Sequence, residues 1–140
     1  MRAVTFATSH AGKVPGRDLR RIDAGRFAAA LDILHARHVR YVSFSGGEPL
    51  LHPRLADMIA MTVARDMGPA VITNGWLLDQ LLDKLAAAGL KTVYISIDAT
   101  TIAEHENNRG LEGVCHRIRT ATARMPELSI TPVAQVTMSR

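Results

Sequence analysis

The chain has 140 residues, 47% hydrophobic and 21% charged, a balance that suits one folded domain over residues 1–140 and excludes a disordered segment. No apolar run approaches the roughly 18–20 residues of a membrane helix, and MRAVTFATSHAGK at the start carries no secretory signal, so no membrane partner and a cytoplasmic location are expected. The formal charge is +4, but the arginines are scattered and aromatics make up only 4%, so no nucleic-acid partner is expected either.

AVTFA (3–7) reads as a first strand. A loop with Gly12, Pro15 and Gly16 leads to a helix over 23–38, in which Phe27, Ala30, Leu31 and Leu34 recur at helical spacing behind Asp23 as N-cap. VRYVSF (39–44) is a second strand. The next helix is predicted over 53–67, with Pro53 in its first turn and Leu55, Met58, Ile59 and either Thr62 or Val63 on its buried face. AVIT (70–73) is a third strand, followed by a helix over 77–89 that Gly89 terminates. TVYISID (92–98) is a fourth strand, ATTIAEHENNRG (99–110) a polar loop, 111–125 a helix, and SITPVAQVTM (129–138) a fifth strand. Strand and helix alternate throughout, which defines an α/β class with a parallel sheet. The strands read as short apolar runs, which predicts a sheet covered on both faces.

Ligands of parallel α/β sheets and barrels bind at the C-terminal ends of the strands, and here those ends are polar. The second strand runs into Ser45-Gly46-Gly47-Glu48-Pro49, the third into Thr73-Asn74-Gly75, and the fourth carries Ser96 and Asp98, with His105 and Arg109 in the loop beyond. Two glycines let a ligand approach bare main chain. The carboxylate next to them suits an ammonium group, and an arginine opposite suits a carboxylate in a two-pronged grip. Ammonium and carboxylate together describe an amino acid.

SFSGGEPLLHPRL, ITNGWLL and VYISIDATTIAEHENNRG, at these spacings, resemble the radical S-adenosylmethionine superfamily, nearest the branch of peptide maturases, sulfatase-activating enzymes and haem-pathway enzymes. The resemblance implies an incomplete, TIM-barrel-like (β/α) barrel of about five strands. It also implies S-adenosylmethionine held against a 4Fe–4S cluster and cleaved to a 5′-deoxyadenosyl radical, which abstracts hydrogen from a peptide or small-molecule substrate. An electron donor such as flavodoxin or ferredoxin would serve the cluster. Gly46, Gly47 and Glu48, followed by Pro49, would receive the methionine amino group, and Ser96 and Arg109 its carboxylate. Asn74 would line the pocket, and Asp98 would lie near the ribose or the substrate.

One element of the family is missing. Its cluster is held by a C-x-x-x-C-x-x-C loop after the first strand, whereas this sequence has a single cysteine, Cys115, and cluster iron takes thiolate ligands. No metal ligand is therefore assigned in this chain, and Cys115 reads as a structural thiol on a helix face. His10, His52 and His105 lack the spacing of a metal site. The chain is expected to be a clipped core, with Met1 an internal or false start and further elements after Arg140, which would leave the first and fifth strands as open edges. The rival expectation is a non-catalytic, cofactor-binding remnant or partner subunit.

Overall fold

The computed structural model describes residues 22–136 and the backbone of 3–8. In it, parallel strands β1 (Ala3–Thr8), β2 (Tyr41–Gly46), β3 (Gly68–Thr73), β4 (Thr92–Ile97) and β5 (Thr131–Val136) lie side by side in chain order. Between them run α1 (Ala24–Ala36), α2 (Leu55–Val63), α3 (Leu78–Ala87), α4 (Ile102–Arg109) and α5 (Val114–Arg124). A doubly wound sheet reverses its strand order and carries helices on both faces. Here the order never reverses, so crossovers of one hand stack the helices on a single face, as in an open part of a (β/α) barrel.

That arrangement corrects the expectation of a sheet covered on both faces. Val42, Phe44, Val71, Val93 and Ile95 are buried against helix residues such as Phe27, Leu31, Ile59 and Leu82. Ser43, Ser45, Ile72, Tyr94 and Ser96, on the opposite face, are only half-buried. Burial therefore alternates along β2 and β4, whose Ser and Tyr residues face the open side, while on β3 Ala70 is buried as well. Among the described residues β5 pairs with β4 alone, and Val136 is 63% exposed.

Local signals explain the boundaries. Asp23 caps α1 by accepting from the main-chain N–H of Gly25 and Arg26 at 3.0 and 3.1 Å. The helix predicted from Pro53 instead starts at Leu55, and Pro49 opens a separate 3-10 helix over Pro49–Leu51. On α2 it is Thr62, not Val63, that is buried; its hydroxyl donates to the Met58 carbonyl at 2.9 Å, which satisfies it without a solvent contact. The predicted loop 99–110 holds a full helix, α4. Thr101 accepts from Glu104 N–H and donates to its carboxylate, and Gly110 closes the other end at φ 62°. These are helix start and stop signals visible in the sequence, masked by a stretch almost without apolar residues.

Four helix ends share one termination device. After α1, α2, α3 and the turn that follows α5, a left-handed residue (His38, Asp66, Gly89 or Ser129) precedes a buried apolar one (Val39, Met67, Leu90 or Ile130). The apolar residue's N–H returns to a carbonyl five residues back, on Leu34, Thr62, Leu85 and Met125 respectively. Only one of the four left-handed residues is glycine. Asp66→Gly should therefore stabilise the protein by about 0.5–1 kcal/mol, because a side chain at positive φ is strained there, and urea unfolding midpoints at a constant m-value check it.

Candidate functional site at the C-terminal rim

Glu48 stands two residues beyond the end of β2. It is 7% exposed and three donors converge on it. Oε1 accepts from Leu50 N–H at 3.0 Å and from the Thr73 hydroxyl at 2.8 Å, and Oε2 accepts from Asn74 N–H at 2.9 Å. The carboxylate thus caps the 3-10 helix and ties the end of β2 to the end of β3. Gly46, at φ 142°, takes a conformation open to glycine, and Pro49 is buried. With about four lone-pair positions on a carboxylate and three occupied, an ammonium group at this turn would depend mainly on main-chain acceptors around Gly46 and Gly47.

The Thr73–Trp76 turn is equally built in. The Thr73 hydroxyl accepts from Gly75 N–H at 3.0 Å while donating to Glu48, and Asn74 Oδ1 accepts from Trp76 N–H at 2.8 Å, an Asx turn. The Asn74 carbonyl oxygen is therefore turned inward on the loop. Trp76 lies under the Arg117 guanidinium, 4.5 Å from the ring centre, and Arg117 also holds both Asp79 oxygens at 3.2 Å. Helix α5 thereby braces the loop from outside.

At the end of β4, Asp98 bridges two side chains one turn apart on α4. Oδ1 lies 2.7 Å from His105 Nδ1, and Oδ2 lies 2.7 Å from Arg109 Nε. The second contact is an ion pair whose N–H is poorly aligned on the oxygen for a hydrogen bond. Burial alone would raise the Asp98 carboxyl, but the His105 hydrogen bond and the Arg109 charge outweigh it and hold it below its ordinary value. His105 is 2% exposed. Ser96, half-buried on the open face, makes no side-chain hydrogen bond to the described residues. The sequence reading placed His105 beside Arg109 in a rim loop and gave it no partner; their pairing at i, i+4 becomes visible once 102–109 is seen as a helix.

Glu106, on the same helix, accepts from Gly113 and Cys115 N–H at 2.9 and 3.1 Å and so caps the start of α5. Those two hydrogen bonds lower its carboxyl, while burial, with the Glu106 charge beside it, raises the Cys115 thiol. A carboxyl lowered on folding stabilises the fold above its unfolded pKa of about 4.3. That contribution falls away as pH drops through the lower, folded value. Urea unfolding should show wild type more stable than Glu106→Gln at pH 7, with the gap closing toward pH 3. A gap independent of pH would refute the charged cap.

Cys115 is half-buried on α5, and among the described residues no group of three His, Cys, Asp or Glu side chains is placed to hold a metal. His10 lies outside the described residues. A concavity of about 430 Å³ is lined by Ala103, Glu106, Asn107, Gly110 and Glu112 and includes neither Glu48 nor Asp98. The polar chemistry is on the open rim. No described helix is long and apolar enough to cross a membrane.

A singly wound parallel sheet with its polar groups gathered where β2, β3 and β4 end defines a partial (β/α) barrel with a polar rim. The chain belongs to the radical SAM superfamily, whose model matches residues 7–128. It is 32% identical over 118 residues to the PqqA peptide cyclase of Gluconobacter oxydans (strain 621H), covering 84% of this chain and 33% of that protein. It is 38% identical over 80 residues to the GTP 3',8-cyclase of Chlorobaculum tepidum, covering 56% of this chain and 24% of that one. The structure of BtrN in complex with AdoMet and 2-DOIA superposes with a TM-score of 0.60 at 17% identity, over 96% of this chain and 56% of BtrN. The chain thus spans between a quarter and a third of these curated relatives.

Proposed function

We propose that this chain is the cofactor-binding part of a radical SAM enzyme, and that its rim takes the methionine end of S-adenosylmethionine. The observation that carries this reading is that neighbouring parallel strands end, on the same side of the sheet, in a glycine-rich turn locked by Glu48 and in an aspartate that braces Arg109. Main-chain acceptors at Gly46 and Gly47, with the remaining lone pair of Glu48, suit the amino group, and Pro49 holds the turn. Arg109 and Ser96 suit the carboxylate, and Asn74 borders the same space. When bound, the cofactor supplies the superfamily's radical chemistry, hydrogen abstraction from a peptide or small-molecule substrate, with a flavodoxin- or ferredoxin-type electron donor. The residues of this chain bind and orient it.

A 4Fe–4S cluster does not fit the donors on this chain, because one cysteine cannot supply its thiolates. That single observation favours a second reading, in which the chain binds the cofactor as a partner subunit without a cluster of its own. Calorimetric titration with S-adenosylmethionine tests the common part. Binding by wild type, weakened in Arg109→Ala, is expected, and no heat of binding in wild type would overturn it. Anaerobic reconstitution with iron and sulfide then tests the second reading. Cluster absorbance from this chain would overturn the second.

A further inference from the structure

Helix α4 carries the arginine of the rim, yet nothing apolar anchors it. His105 is its one buried side chain, and Ile102 is 54% exposed. The helix is attached by polar contacts: Glu106 to the start of α5, and His105 and Arg109 to Asp98. Asp98 engages Arg109 through Nε, and neither terminal guanidinium nitrogen has a hydrogen bond to the described residues. A guanidinium held by Nε keeps its two outward nitrogens in one plane, ready for a carboxylate.

We propose that Asp98 and His105 are positioning residues, a clamp in which His105 Nδ1–H fixes the Asp98 carboxylate and Asp98 in turn aims Arg109 at the ligand's carboxylate. The proposal rests on the reading of Arg109 given above. At 2.7 Å a proton lies between Nδ1 and Oδ1, and with Asp98 held as the carboxylate that proton belongs to the imidazole. The ring's other nitrogen, Nε2, is buried without a hydrogen-bond partner. A proton there would be an unsatisfied buried donor, so the Nδ1–H tautomer, with a bare lone pair on Nε2, is the form this site selects. The 3.5 Å approach of Asp98 N–H to the same Nδ1 is the weaker contact and does not reverse the assignment.

The clamp makes predictions that ordinary packing does not. Ring-nitrogen NMR of the ¹⁵N-labelled protein should show His105 as the Nδ1–H tautomer near neutral pH. Asp98→Asn turns an amide on either His105 or Arg109, and should weaken S-adenosylmethionine binding about tenfold, the equivalent of 1.4 kcal/mol, while α4 amides exchange faster and the core strands do not. His105→Ala should weaken binding similarly, and His105→Asn, whose amide can donate to Asp98 in place of Nδ1–H, should recover most of it. An Nε2–H tautomer in wild type overturns the inference without any ligand or variant. So does an Asp98→Asn protein that binds like wild type when Arg109→Ala does not. If Arg109→Ala also binds like wild type, the carboxylate reading itself fails.

Discussion

Glu48→Ala should cost about 4 kcal/mol of stability and leave little folded protein at physiological temperature. The substitution strips the acceptor from three donors at once, Leu50 N–H, the Thr73 hydroxyl and Asn74 N–H, and each buried donor left alone costs about 1–3 kcal/mol. Domains of this size hold only about 5–15 kcal/mol in reserve. Glu48→Gln is the sharper test. Its carbonyl oxygen can keep the Leu50 and Thr73 contacts, but its amide then points a donor at Asn74 N–H, for a loss of about 2 kcal/mol. Urea unfolding at pH 7 checks both, with no ligand present. If Glu48→Gln unfolds at the wild-type midpoint, the carboxylate is not a scaffold element, and its role passes to ligand contact alone.

Gly75→Ala should cost about 2–4 kcal/mol, for two reasons that can be separated. Gly75 sits at φ 86°, where a Cβ is strained, at about 1–2 kcal/mol. That Cβ would also stand 2.4 Å from Ile118 Cγ1 on α5, an overlap that overpacks the joint between the Thr73–Trp76 turn and α5, at about 1–3 kcal/mol. Adding Ile118→Ala removes the second cost and leaves the first. A double-mutant cycle should therefore show favourable coupling between the two changes, against a background loss from the Ile118 cavity. Strict additivity would mean that the close packing of α5 on this turn is not what demands glycine. Cofactor affinity should fall with Gly75→Ala too, because the same turn carries Asn74 and receives Glu48.

The sequence was legible where a signal is local or periodic. Phe27, Leu31, Leu82 and Leu85 repeat at helical spacing and are buried as that spacing requires. Asp23 and Gly89 sit where a cap and a left-handed stop are needed. Helix α4 escaped the reading because its helix formation does not come from an apolar stripe. Thr101, Glu104 and Gly110 set its ends, and its inward face is His105 and Arg109, which look like loop residues until a carboxylate faces them. The one-sided sheet escaped for a related reason. Strand VRYVSF looks apolar by count, and its alternation matters only once the strand order shows which side the helices occupy.

By itself, then, the sequence determined the α/β alternation, the residues at each strand end and the absence of a second thiolate, because each is set by neighbours a few residues apart or by composition. Tertiary structure decided what those end residues do. Glu48 and Thr73 are 25 residues apart, and only parallel pairing of β2 with β3 lets one carboxylate satisfy both strand ends. Asp98, His105 and Arg109 become one unit only when α4 folds back over the end of β4. Charges and hydrogen-bonding groups act through space over a few ångströms, and which of them meet is a property of the fold.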